Sequence, residues 1–181
     1  MASYGYVQLF LFGLLCIGAA SAENSTCTTP RALSGLNINK VYGDWFLGKW
    51  YGPNNMTLGK SLCLGTRMKK FNETTFEAIL DVHNETAAQT FTIENSENAG
   101  TWLDVGADNT VQVIYLSADV SVMELAYCTK NETEHGLILL SKQLPISPEK
   151  KAEVLHAEEI AGVSEHIHFF KWESEATCPS A

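Results

Sequence analysis

The chain has 181 residues, 45% of them hydrophobic and 18% charged, with a formal net charge of −9. That length suits one domain with a real core, and the hydrophobic fraction excludes a disordered chain. The acidic balance argues against nucleic-acid binding, because nothing here would neutralise a phosphate backbone.

Residues 1–22 contain no Asp, Glu, Lys or Arg. Residues 7–17 are apolar but too few for a membrane span, and Ala20-Ser21-Ala22 is a small-residue cleavage pattern. We read residues 1–22 as a signal peptide and residues 23–181 as one secreted, extracellular domain without a membrane anchor. Removing the signal removes Cys16 and leaves Cys27, Cys63, Cys128 and Cys178. An even count in a secreted chain reads as two disulfide bonds, with three possible connectivities. With no C-x-x-C pair, a structural zinc site is not expected. Five N-x-[ST] sequons, at Asn24, Asn55, Asn72, Asn84 and Asn131, predict a glycoprotein.

The middle of the chain is a succession of strand signals separated by Asn, Glu, Thr and Gly. Strands are predicted at 62–71, 74–82, 89–94, 101–105, 110–117, 121–129 and 137–142. Alternation places Phe76, Ala78, Leu80 and Val82 on one face of the second, and Val111, Val113 and Tyr115 on one face of the fifth. The period then changes. Ser147 as N-cap, Pro148 at the first helical position, Glu149 in the first turn and Gly162 beyond the end predict a surface helix over 148–161. A short last strand is predicted at 166–171. Hairpin-length connections favour an antiparallel meander, and closing it removes both sheet edges. The expected fold is all-β, an eight-stranded antiparallel up-and-down barrel with one C-terminal helix packed outside. Such a barrel has room for one small ligand.

Three segments carry a resemblance. Gly48-Lys49-Trp50-Tyr51 resembles the first signature of the lipocalins, a Gly-x-Trp that opens the first barrel strand. Leu116-Ser117-Ala118-Asp119-Val120 resembles the second, at the turn between the sixth and seventh strands, with Asp119 the matching residue. Leu137 to Lys142 resembles the third, with Lys142 where the family usually has Arg. The match covers about residues 27–178, and the cysteine layout is most similar to the branch of insect bilin-binding protein and insecticyanin, with apolipoprotein D related. The resemblance implies Cys27–Cys128 and Cys63–Cys178 pairing. It implies that Trp50 plugs the closed end beneath the Lys142 ammonium, and that Gly48 lets the N-terminal segment cross close to the floor.

If Trp50 and Lys142 face the floor, parity points Ile138 and Leu140 inward. The apolar faces add Phe76, Leu80, Phe91, Ile93, Val111, Val113 and Tyr115. An outward Cys63 turns Leu64 and Met68 inward. These eleven residues are the expected ligand-binding lining; the alternative is that they simply fill a core. Parity leaves Glu124 open: an inward Glu124 would suit a cationic amine. His166 and His168 share a strand face, but two ligands are too few for a metal site. No catalytic motif stands out, and paired cysteines leave no free thiol nucleophile, so no enzyme activity is expected. The leading expectation is a carrier of a small hydrophobic molecule, such as a bilin, retinoid, fatty acid or sterol-like compound, with no required cofactor beyond a possible bound ligand or pigment. The alternatives are a protein-interaction or inhibitor lipocalin acting through its loops, or a biogenic-amine scavenger.

Overall fold

The computed structural model describes residues 30–52, 59–82, 85–93, 99–106, 109–129, 135–163 and 170–178. Among them the strands are β1 Gly43–Gly52, β2 Gly65–Lys70, β3 Thr75–Val82, β4 Glu85–Ile93, β5 Thr101–Asp104, β6 Asn109–Leu116, β7 Val122–Thr129, β8 His135–Ser141 and β9 Phe170–Glu173. The helix, α1, is Pro148–Ala161. The described part of the last strand, Phe170–Glu173, runs two residues past the end of the expected 166–171; residues 164–169 lie outside the described residues.

Each strand from β2 to β7 pairs antiparallel with the next, and β1 pairs with both β8 and β2, which closes an eight-stranded barrel. β1 shares one of its sides between two partners. Residues 43–46 pair with β2 and residues 49–52 with β9, so the ninth strand extends the wall where β2 has ended. The period-two pattern fills the interior with one buried cluster that includes Trp45, Leu64, Met68, Phe76, Phe91, Trp102, Val111, Met123 and Ile138. Leu36 and Val41 join that cluster around a single 3-10 turn at Ile38–Lys40, capped by the Asn37 side chain, which accepts from the Asn39 N–H. This segment closes the floor.

The helix starts and stops where its caps dictate. The Ser147 hydroxyl accepts from the Lys150 N–H, Pro148 takes the first turn, and Gly162 adopts φ 75° as the left-handed cap. Its buried face is narrow: Val154 and Ala161 are buried, whereas Leu155 and Ile160 are exposed. Polar contacts therefore do much of the docking. Lys150 pairs with Asp119 at 3.3 Å, Lys49 with Glu158 at 2.9 Å and Lys151 with Glu173 at 2.7 Å, and the Tyr115 hydroxyl donates to Glu153. Cys63 and Cys178 are disulfide-bonded with a Cα separation of 5.9 Å, the pairing the resemblance implies. Cys128 is also disulfide-bonded; its partner, like Cys27, lies outside the described residues.

Two bulges reset the alternation. In β1 the register with β8 shifts between Leu47 and Lys49, so Leu47 and Trp50 turn inward and Lys49 outward. Gly48 occupies the extra position. A Cβ there would lie 2.6 Å from Ile146 Cδ1, so the glycine makes room for the outer segment after β8; residues 1–29, part of the N-terminal segment expected to cross there, lie outside the described residues. In β6 the register shifts between Val113 and Tyr115.

Candidate functional site

The floor is built by the first strand's entry and the residue that follows the eighth. Gly43 has φ 110°, a conformation that favours glycine, and a Cβ there would approach Lys142 Nζ to 3.3 Å. Lys142 Nζ sits 3.9 Å from the ring centroid of Trp45 and donates to the Asp44 carbonyl. Trp45 is fully buried, and its indole N–H donates to the Val41 carbonyl at 2.8 Å. Burial lowers the Lys142 pKa, opposed by Asp44. The capping tryptophan is therefore Trp45, not Trp50, and the Gly-x-Trp that matters is Gly43-Asp44-Trp45. Trp50 is also buried, but it pairs with Ile138 and Trp172, five residues farther along β1.

Asp119 stitches the β6–β7 turn. Its carboxylate accepts from the Ser117 hydroxyl at 2.6 Å, the Ser121 hydroxyl at 2.7 Å and the Ser121 N–H at 3.2 Å, and Lys150 of the helix stands against it. These donors hold the carboxyl well below the usual range. These contacts hold the turn together and tie it to the helix.

Of the expected lining, Leu64, Met68, Phe76, Phe91, Ile93, Val111, Val113, Ile138 and Leu140 all belong to the interior cluster. Leu80 stands opposite Thr66 and Ala87 in the ladders, and its side chain lies outside the described residues. Tyr115 does not face the interior. The β6 bulge turns both Ile114 and Tyr115 outward, where Ile114 packs with Ala126, Leu137 and Ala161, and Tyr115 meets the helix. Burial and the Glu153 carboxylate raise the Tyr115 hydroxyl pKa.

β7 supplies Met123, Leu125 and Tyr127 to the interior, so Glu124 faces out. The inward orientation that an amine partner would require is not adopted. Glu124 is instead fully buried beneath α1, with Lys49 Nζ 3.9 Å from its Oε1. Next to that contact, a cleft of about 130 Å³ separates helix from barrel, lined by Gly48, Lys49, Tyr51, Leu139, Ile146, Val154 and neighbouring residues.

Sequence patterning missed the interior polar groups. Asp104 is 2% exposed and follows Trp102 on the inner face of β5, opposite Phe91. Gln89 Nε2 donates to its Oδ2, and the Gly106 N–H donates to its Oδ1 at 2.9 Å. Phe76 and Phe91 stack at 5.2 Å between centroids, and Trp102 stands edge-on to Phe76 at 4.9 Å. A carboxylate and three aromatic rings thus share one region of the inner wall. The Thr66 hydroxyl, buried on the inner face of β2, has no hydrogen-bond partner among the described residues. The alternating Trp-x-Asp of β5 was the available signal for Asp104.

Of the sequons, Asn72 is exposed in the β2–β3 turn, where its side chain accepts from the Thr74 N–H at 2.9 Å. Asn24, Asn55, Asn84 and Asn131, with His166 and His168, lie outside the described residues. Among the described residues there is no group of three or more His, Cys, Asp or Glu placed to hold a metal ion. No helix among them is long and apolar enough to cross a membrane.

No protein-family model matches the chain, and no curated protein matches it. Among solved structures it is similar to the siderocalin Ex-FABP, which is described as functioning through dual ligand specificities. The TM-score is 0.55 at 15% identity, over 78% of this chain and 94% of that one. The chain has the lipocalin fold: a closed eight-stranded antiparallel barrel with one helix outside.

Proposed function

We propose that the protein is a secreted, glycosylated carrier that holds one small, largely apolar molecule inside the barrel. The observation that supports this reading is the inner face of the closed barrel, onto which buried aliphatic and aromatic side chains from successive strands converge. Burying a ligand against such a wall contributes about 25 cal/mol per Å² of apolar surface. The Cys63–Cys178 bond supports an oxidising, extracellular setting, and kinship with the bilin-binding and apolipoprotein D branch is part of the same proposal. The signal peptide at 1–22, the single domain over 23–181 and the occupied sequons belong to the same proposal.

One observation favours a second reading, a ligand with a protonated amine. Asp104 supplies the interior acid that Glu124 does not, beside the rings of Phe91 and Trp102, which favour a cation on their faces.

The test is a fluorescence titration with two probes of one apolar skeleton, one neutral and one bearing a primary amine. The carrier reading predicts saturable one-to-one binding of the neutral probe, and its absence overturns that reading. A charge-assisted bond contributes about 1.5–3 kcal/mol. The amine reading therefore predicts that Asp104→Asn weakens the amine probe about tenfold or more and leaves the neutral probe unchanged. Equal effects on both probes overturn it.

A further inference from the structure

The contact between α1 and the barrel contains an unbalanced set of charges. Glu124 of β7 is fully buried, and neither carboxylate oxygen has a hydrogen-bond partner among the described residues. From β1, Lys49 places its ammonium 3.9 Å from Glu124 and 2.9 Å from Glu158 of the helix, and 4.3 Å from the ring centroid of Tyr51. From β6, Tyr115 stands opposite Glu124, but its hydroxyl is engaged with Glu153. From β8, the facing residue is Leu139, which does not titrate. Elsewhere on the helix, Lys150, Lys151 and His156 are placed against Asp119 and Glu153, Glu173, and Glu159 respectively. One ammonium therefore faces two carboxylates in a gap shielded from water. The set balances only when one carboxyl carries a proton.

We propose that α1 is seated by a proton: a protonated Glu124 carboxyl holds the helix against the barrel, and its ionisation loosens the seat. Burial, followed by the Glu158 carboxylate, pushes the Glu124 carboxyl well above the ordinary range. A group raised in this way stabilises the seat fully below its ordinary pKa, and that contribution is lost as pH rises through the raised value. Lys49 does not titrate in this window. Burial lowers its pKa, but Glu124 and Glu158 outweigh that and hold it above its ordinary value, so it stays charged well past neutrality. Loosening would widen the cleft of about 130 Å³ and bare Leu139, Leu144, Ile146 and Val154. The barrel would thus display an apolar outer face at alkaline pH and cover it at acidic pH, independently of what the interior holds.

Hydrogen exchange of the α1 amides, read by mass spectrometry on the secreted protein from pH 5 to 9 and corrected for intrinsic rates, tests this. Each pH unit between the ordinary carboxyl pKa and the raised folded value costs the seated state about a factor of ten, and the loss is complete once pH has passed the raised value. Protection of α1 is expected to fall at least about tenfold relative to β7 over the range, and Glu124→Gln is expected to remove the dependence. A flat profile in the unaltered protein, or the same fall in Glu124→Gln, overturns the proposal. Should Glu124→Gln not fold, a carboxyl ¹³C titration of the unaltered protein decides. Ionisation of Glu124 in the ordinary carboxylate range overturns the proposal, and ionisation well above it supports the proposal.

Discussion

Replacing Trp45 with Ala is expected to lower the unfolding free energy by about 3–5 kcal/mol, the cost of emptying a large buried aromatic site. Trp45 has no exposed surface, its indole N–H is bonded to the Val41 carbonyl, and the Lys142 ammonium lies on its face. Removing it also leaves that ammonium half-buried without its aromatic partner. Lys142→Ala alone is expected to cost about 0.5–2 kcal/mol. The two losses should not add: a double-mutant cycle in urea is expected to show coupling between Trp45 and Lys142 and none between Trp50 and Lys142. Coupling at Trp50 with none at Trp45 would contradict this account of the floor.

Cutting the Cys63–Cys178 bond is the second large effect. It joins the entry to β2 with the chain end across 115 residues, and Cys178 also pairs by backbone hydrogen bonds with Leu144. A cross-link over so long a loop restricts the unfolded chain strongly, and losing one typically costs about 2–5 kcal/mol. Cys178→Ser is expected to lower the thermal midpoint by several degrees and to release the segment after β9 first, because among the described residues backbone hydrogen bonds to Gly48, Lys60 and Leu144 are what then remain to hold it. Retention of near-ultraviolet circular dichroism below the transition would show the closed barrel intact. An unchanged midpoint would show that the bond adds nothing to the fold.

The strand and helix order was legible because alternation, turn residues and helix caps act locally. Ser147, Pro148 and Gly162 determine where α1 starts and stops without help from tertiary structure. Facing was legible wherever a strand ran without interruption, as for Phe76, Phe91 and Ile138. It failed at Tyr115, since one extra residue in β6 reverses every side chain beyond it and leaves no mark in the pattern. The floor was misassigned because β1 contains two Gly-x-Trp triplets, five residues apart. Only the register, which sets Phe46 opposite Ser141, brings Trp45 beneath Lys142. Glu124 was undecidable for a related reason: the parity of β7 is fixed by its ladders with β6 and β8, not by its own composition. Asp104 fell within the predicted strand 101–105, but its inward facing was hidden, because nothing in the pattern marks a carboxylate as inward until its partners, Gln89 and Gly106, are brought beside it.

The central claim is that the barrel interior holds a small molecule. It is tested most directly by native mass spectrometry of the protein produced in a eukaryotic host, followed by extraction and identification of what it releases, and by probe titration of the extracted protein. The account predicts one small, mainly apolar molecule per chain, or an emptied barrel that takes up one apolar probe per chain. A protein that carries nothing and takes up no probe would contradict it, and would mean that Phe76, Phe91, Trp102 and their neighbours are a filled core.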